Sequence, residues 1–192
     1  MTTQAYRPPT TSNHVGLNGA TSTTTAAAAA PSAVVRYAAA AARLSVGWIF
    51  LWAFLDKLFG LGHETTSAQA WIHGGNPTLG FLKKGAEGPF ADFYHSIAGA
   101  TWANWLFMLG LAGIGIALIA GVAMRITAGA GALMLVMMWS VVLPPANNPF
   151  MDDHIVYAIV LILLASLGAG RFVGLGGMWE RLAIVQRFPF LK

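Results

Sequence analysis

A carboxylate and an imidazole near one edge of the apolar part of this chain are the residues best suited to proton transfer. Asp56 lies near the end of the apolar segment LSVGWIFLWAFLDKLF, and His154 begins the segment HIVYAIVLILLA. Intramembrane carboxylates are costly and often functional, and histidine exchanges protons near neutral pH. Because quinone reduction consumes protons and quinol oxidation releases them, this pair could exchange protons with a membrane quinone. We therefore take Asp56 and His154 as candidate catalytic residues.

Other side chains are expected at the same depth, around one polar pocket. Trp52 lies four residues before Asp56 and so shares its helix face, whereas Lys57 is rotated by about 100°. The remaining candidate binding residues are Asn104, Trp139 and Asp153. A structural interpretation stays open for each: Asp152 or Asp153 caps a helix, Lys57 reaches the lipid headgroups, and the tryptophans belong to an interfacial belt.

The residues that usually hold several kinds of cofactor are missing from this sequence. The chain has no cysteine, no predicted span has a histidine in its interior to ligate haem, and no glycine-rich phosphate loop follows a strand. His63, His73 and His95 lack tight metal-ligand spacing. We therefore expect no metal and no cofactor on this chain. The basic residues are scattered, which argues against a nucleic-acid partner.

The elements that must position these groups are apolar helices in a membrane. Of the 192 residues, 56% are hydrophobic and 9% are charged, too few charges for a water-exposed surface. Four apolar segments, at about 34–59, 102–123, 126–143 and 155–172, approach the ~20 residues that cross a bilayer as a helix. The sequence therefore predicts an all-α fold, a four-helix transmembrane bundle.

The rest of the chain is divided around these spans. Residues 1–33, rich in Ala, Thr and Ser, predict a disordered cytoplasmic tail before a four-span membrane domain at 34–172. The extracytoplasmic loop at about 60–101 is expected to contain two short helical pieces, at 67–73 and 89–98, separated by the turn-rich GGNPTLG and KKGAEG. Residues 173–192 include MWERLAIVQRF, which predicts one short cytoplasmic interfacial helix.

The basic residues orient this bundle in the cell membrane. On one side lie Arg7, Arg36, Arg43, Arg125, Arg171, Arg181, Arg187 and Lys192, and on the other only Lys57, Lys83 and Lys84. The positive-inside tendency places both termini of this multi-pass protein in the cytoplasm. Arg43 itself is interpreted as a topology anchor. Small residues at Gly113, Ala117 and Gly121, and at Ala128, Gly129 and Ala132, predict close helix packing.

The motifs WAFLDKLFGLG, GGNPTLGFL and LPPANNPFMDDH, in a similarity that covers about residues 43–171, resemble the DoxX/DoxD group of small membrane proteins. That resemblance implies a four-helix membrane fold and a role as the membrane subunit of a thiosulfate:quinone oxidoreductase (a thiosulfate dehydrogenase that reduces quinone). It would imply a second oxidoreductase subunit as partner. In this hypothesis Asp56 and His154 handle protons, Trp52 and Trp139 line the quinone site, and Lys57 or Lys83 and Lys84 attract thiosulfate.

Two other functions remain open. The missing cofactor favours a non-catalytic membrane scaffold, in which the loop or the C-terminal helix docks a partner enzyme. Small-solute transport is the weaker alternative, because no broken helix or charged row crosses the predicted bilayer. In every case lipid is a partner of the chain. If a site exists, we expect it under the loop, between Asp56 and His154.

Overall fold

The computed structural model describes residues 30–192, and all regular structure within them is helical. The helices are α1 (Ala33–Phe59), α2 (Leu79–Lys84), α3 (Ala91–Ile97), α4 (Thr101–Ala120), α5 (Met124–Val141), α6 (Asp153–Ser166), α7 (Gly176–Trp179) and α8 (Ala183–Arg187). The predictions for the tail up to residue 29 lie outside these described residues. The all-helical class is confirmed for the part of the chain that the structure covers.

Local capping explains both ends of α1. The Ser32 hydroxyl accepts a hydrogen bond from the backbone N–H of Val35, and Gly60 ends the helix in the left-handed conformation, with φ 67°. The N–H of Gly60 donates to the carbonyl of Asp56 at 2.8 Å. Such a C-terminal turn favours glycine because it has no Cβ. The helix covers 27 residues, or about 40 Å.

Three helices are long and apolar enough to cross a membrane, which indicates a membrane protein. They are α1, α4 and α5, with mean hydropathies of 1.6, 1.9 and 1.4. The helix α6 has 14 residues, or about 21 Å, and is shorter than the predicted fourth span. It ends early because Gly168 adopts a left-handed conformation at φ 63°, after which Ala169–Arg171 form a 3₁₀ turn.

The four long helices pack in chain order around one apolar core, with α1 against α4 and α6 along α5. The helices α1 and α4 approach each other closely at two glycines. A Cβ on Gly115 would lie 2.8 Å from the backbone nitrogen of Leu51, and one on Gly47 would lie 2.9 Å from the Cβ of Leu118. The prediction of close packing at Gly113 and Gly129 is wrong, because both face open space.

The outer surface of this bundle is apolar. Large hydrophobic side chains such as Leu106, Leu133 and Ile159 are more than half exposed, while Met108, Leu118 and Leu161 are fully buried in the core. A soluble protein rarely exposes a continuous apolar surface of this kind. The exposed side chains thus fit a lipid environment, in agreement with the three long apolar helices.

We call the side of the bundle that holds residues 60–100 the loop end. Two 3₁₀ turns, Ser67–Gln69 and Trp71–His73, occupy the first predicted helical piece, and α3 occupies the second. The structure adds α2 in the stretch that we predicted as turns, because Leu82 is buried with Tyr94 and Val141 in a small second core. A Cβ on Gly88 would lie 1.9 Å from the carbonyl oxygen of Leu143, so the loop also rests on the α5–α6 connection.

The opposite side is the Arg43 end, named for a residue that has a structural role besides the topological one predicted from the sequence. The Arg43 side chain is fully buried at 0% exposure. Its guanidinium donates hydrogen bonds to the carbonyls of Leu118 and Ile119 in the last turn of α4, and to those of Phe172 and Val173 after α6. Arg43 therefore joins three segments by direct bonds, in addition to its positive charge.

The C-terminal segment also differs from the prediction. Instead of one interfacial helix it forms α7 and α8, separated by residues 180–182. The segment returns to the bundle, since the backbone N–H of Arg125 donates to the carbonyl of Lys192 at 2.9 Å.

Candidate functional site

Asp56 is the most deeply buried of the predicted site residues, with 1% exposure. Its two carboxylate oxygens accept hydrogen bonds from the backbone N–H groups of His63, at 3.3 Å, and Glu64, at 3.0 Å. These bonds hold the start of the loop against the end of α1. A buried carboxylate that accepts two backbone N–H groups is satisfied by local structure alone, and its predicted proton transfer stays a prediction.

Trp52 and Lys57 lie beside Asp56 on α1, and both are half-buried. The indole of Trp52 packs edge-on against the imidazole of His63, with 5.1 Å between the ring centroids. Since His63 is also bound to Asp56 through its backbone, these three residues form one contact group. The histidine nearest to Asp56 is thus His63 rather than the predicted His154.

Asn104, near the start of α4, belongs to a second polar group. Its buried side-chain oxygen accepts hydrogen bonds from the hydroxyl of Thr78 at 2.7 Å and from the backbone N–H of Thr78 at 3.1 Å. In the same turn Asn76 donates from its amide to the carbonyl of Gly99 at 3.0 Å. Asn104 therefore fixes the GGNPTLG segment over the bundle, and sequence reasoning found this residue without finding its partner.

Trp139 and His154 lie around the α5–α6 connection. The indole N–H of Trp139 donates to the carbonyl of Phe150 at 2.8 Å. Nδ1 of His154 lies 2.7 Å from a carboxylate oxygen of Asp152 and 3.6 Å from one of Asp153. The other oxygen of Asp152 caps α6 by accepting from the N–H of Ile155 at 3.3 Å, as the sequence predicted.

Asp152, Asp153 and His154 also line a cavity of about 460 Å³ with residues 145–148 of the connection. One ligand atom from each of Asp152, Asp153 and His154 lies within 4.8 Å of the others, so these residues have the donor types of a metal site. The positive end of the α6 dipole opposes a cation there, and we assign no metal to this group of residues.

Among the described residues no hydrogen bond, ion pair or ring contact joins Asp56 to His154. Lys83 and Lys84 lie exposed on α2, and among the described residues their side chains form no hydrogen bond or ion pair with either group.

The feature that sequence reasoning missed is an apolar cleft of about 320 Å³ between α4 and α5, under α2 and α3. Of its lining residues only Thr78, Tyr94 and Trp102 have a polar side-chain atom. The others are Pro77, Phe81, Leu82, Phe93, Ile97, Ala103, Leu106, Phe107, Gly110, Ile114, Ala130, Leu133, Met134, Met137, Met138 and Val141. Because Leu106 and Leu133 at its mouth are exposed, the cleft opens sideways toward the surroundings of the bundle.

The polar atoms of the cleft gather at the loop end. The phenol of Tyr94 lies 2.5 Å from the hydroxyl of Ser140 and donates to the carbonyl of Met137 at 3.3 Å. Thr78 is the residue that Asn104 fixes. The cleft thus has an almost wholly apolar lining, and the two hydroxyls at its loop end already donate to protein acceptors, which suits a molecule with an apolar tail.

Comparisons with protein-family models, with curated proteins and with solved structures found no match to this chain. The resemblance to the DoxX/DoxD group therefore rests on the sequence motifs.

Proposed function

We propose that this chain is a DoxX/DoxD-like membrane protein that binds a membrane quinone in the α4–α5 cleft, as a subunit of a thiosulfate:quinone oxidoreductase or a related quinone-linked complex. The apolar cleft that opens sideways, with Tyr94 and Thr78 at its loop end, is the observation that carries the proposal. A quinone tail would lie along Leu106 and Leu133, and its ring would lie near the hydroxyls. Each quinone takes up two electrons and two protons, and the electrons would come from thiosulfate through a partner subunit.

The proposal includes four membrane crossings with both termini cytoplasmic. The helix α6 packs along α5, and its outward residues Ile159, Ile162 and Leu163 are apolar and more than half exposed. At about 21 Å it requires local thinning of the bilayer or continuation through the 3₁₀ turn after it. The basic residues gather at the Arg43 end, which the positive-inside tendency assigns to the cytoplasm.

A photoreactive quinone tests the cleft. The purified protein in lipid nanodiscs is mixed with an azido-substituted ubiquinone analogue, illuminated and digested, and labelled peptides are identified by mass spectrometry. We expect labelling within α4 and α5. Leu106→Trp should reduce it because the indole fills the cleft mouth, while Leu109→Trp should not: the two leucines are 63% and 62% exposed on the same helix, and only Leu106 lines the cleft. Equal labelling of both variants, or labelling confined to peptides around Asp56 and His154, would refute the cleft as the site.

The catalytic part of the proposal needs the native complex. Membranes that contain it should reduce quinone when thiosulfate is added, and Leu106→Trp should lower that rate relative to Leu109→Trp. If both variants reduce quinone at the wild-type rate while the photolabel still marks the cleft, the cleft binds quinone outside the reaction path.

A non-catalytic scaffold remains the second candidate, because the polar residues at the loop end are occupied in holding the loop itself. Asp56, Asn104 and Trp139 all bind backbone groups of the connections. The loop also exposes the apolar side chains of Ile72 and Phe90, which could dock a partner. In that case an Ile72→Ser, Phe90→Ser double variant loses its partner on purification while quinone labelling is unchanged. Retention of the same partner would count against docking through this surface.

A further inference from the structure

A polar cavity of about 230 Å³ at the Arg43 end is lined by three basic side chains and one acidic one. The basic residues are Arg125, Arg171 and Lys192, and the acid is Glu180. The volume is far above the ~10–15 Å³ that one water requires. None of these residues takes part in the α4–α5 cleft.

The single carboxylate is already neutralised by one of the arginines. Nε and Nη2 of Arg171 donate to the two oxygens of Glu180, at 2.9 and 2.5 Å. The hydrogen bond from Arg171 holds the pKa of Glu180 below its ordinary value, and the charges of Lys192 and Arg125 lower it further. Arg125 and Lys192 line the same cavity as Glu180, and among the described residues neither forms an ion pair with an acidic side chain.

Arg125 is held in place but keeps free donors. Its Nη1 donates to the carbonyl of Pro189 at 3.2 Å, and its backbone N–H donates to that of Lys192. The side chains at the cavity sum to two positive charges, of which a carboxylate at Lys192 would remove one. The buried guanidinium of Arg43 adds to this field, because a Cβ on the cavity residue Gly121 would lie 3.1 Å from its Nη1. A positive cavity of this composition favours a phosphate group.

The surroundings indicate that the phosphate belongs to a lipid. Met178 of α7, Ile184 of α8 and Phe190 are each well over half exposed beside the cavity-lining segment. Short segments with apolar residues on one side and basic residues nearby lie in the membrane interface. We propose that the cavity formed by Arg125, Arg171 and Lys192 binds the phosphate of an anionic phospholipid headgroup, with the acyl chains beside Met178 and Ile184.

Lipid retention measures this directly. The protein is exchanged into nanodiscs of equal parts phosphatidylglycerol and phosphatidylcholine, released into mild detergent, and analysed by native mass spectrometry. We expect phosphatidylglycerol to be retained over phosphatidylcholine. An Arg125→Gln, Lys192→Gln double variant should lower that retention by at least about tenfold, because it removes two charged donors and the loss of one charge-assisted hydrogen bond already gives about that factor. The matched control removes two lysines at the loop end, Lys83→Gln and Lys84→Gln, and should retain lipid as the wild type does.

Two further measurements test whether the positive charge is what retains the lipid, and whether the cavity binds a lipid headgroup or free phosphate. Arg125→Lys keeps the positive charge and should retain phosphatidylglycerol, so a loss of retention in Arg125→Lys as large as that in the double variant would overturn the proposal of charge recognition. Equal retention in the double variant and the wild type would also overturn it. Inorganic phosphate is tested by isothermal titration, and binding of phosphate without any preference for phosphatidylglycerol would assign the cavity to a free anion instead.

Discussion

At the scale of single residues, the polar side chains inside this bundle hold the connections in place. Asp56 binds the backbone of His63 and Glu64, and Asn104 binds Thr78. These residues were identifiable from sequence, because a carboxylate or amide within an apolar segment is costly and usually has a structural or functional role. Their partners were not, since a backbone N–H in a loop has no sequence signature.

Asp56→Ala should therefore destabilise the protein. The N–H groups of His63 and Glu64 lose their acceptor, and because both residues are exposed and water can replace part of that bonding, the cost is about 1 kcal/mol. The measurement is the free energy of unfolding in detergent, followed by circular dichroism in a denaturant titration. Glu64→Ala is the control, since it removes an exposed side chain and leaves the Glu64 N–H in place.

Asp56→Asn separates stability from catalysis. The amide keeps one acceptor oxygen, so we expect a smaller loss of stability than in Asp56→Ala. If this variant stops quinone reduction in the native complex while its unfolding free energy stays close to that of the wild type, Asp56 transfers protons as the sequence predicted.

At the scale of helices, the α1–α4 contact depends on two glycines, at positions 47 and 115. Sequence reasoning chose glycines by their spacing along one helix, and that choice failed at Gly113 and Gly129. The face that a helix turns toward its neighbour is set by the whole bundle, because in lipid an apolar side chain is equally acceptable inside and outside. The cleft escaped prediction for the same reason: its lining residues are ordinary apolar residues of α4 and α5.

Gly115→Ala should loosen the α1–α4 pair, because the new Cβ would lie within 3.0 Å of two backbone atoms of Leu51. Overpacking of this kind costs about 1–3 kcal/mol. Gly113→Ala is the matched control two residues earlier; it meets open space and should be neutral or stabilising by up to about 1 kcal/mol through helix propensity. Thermal unfolding of both variants in the same detergent measures the difference, and equal melting temperatures would contradict the close contact.

At the scale of the whole molecule, the two ends differ in charge and in structure. The loop end has structured connections and the basic residues Lys57, Lys83 and Lys84, whereas most arginines lie at the Arg43 end. The helical class of the described residues and the three helices long and apolar enough to cross a membrane followed from the lengths of the apolar runs in the sequence. The length of α6 did not follow, because the run of apolar residues continues past the point where Gly168 ends the helix.

Single introduced cysteines can determine the membrane topology of the protein, because the sequence has no cysteine and each introduced thiol is then the one that reacts. If α6 crosses the membrane, Asn147→Cys before it should react with a membrane-impermeant maleimide in intact cells, and Gln186→Cys after it should react only after permeabilisation. Both positions are exposed. Ser96→Cys, at the loop end, is the reference for the outer side. Labelling of positions 147 and 186 from the same side would mean that α6 does not cross.

The Arg43 bonds also have a consequence for how the protein is made. Two of the four carbonyl partners of the guanidinium, those of Phe172 and Val173, are synthesised about 130 residues after Arg43 itself. Until that segment leaves the ribosome, an inserted α1 holds a cation whose bonding is incomplete. A residue of α1 therefore depends on a segment made about 130 residues later, and a nascent chain that stops short of residue 172 leaves the buried guanidinium of Arg43 without two of its four carbonyl acceptors.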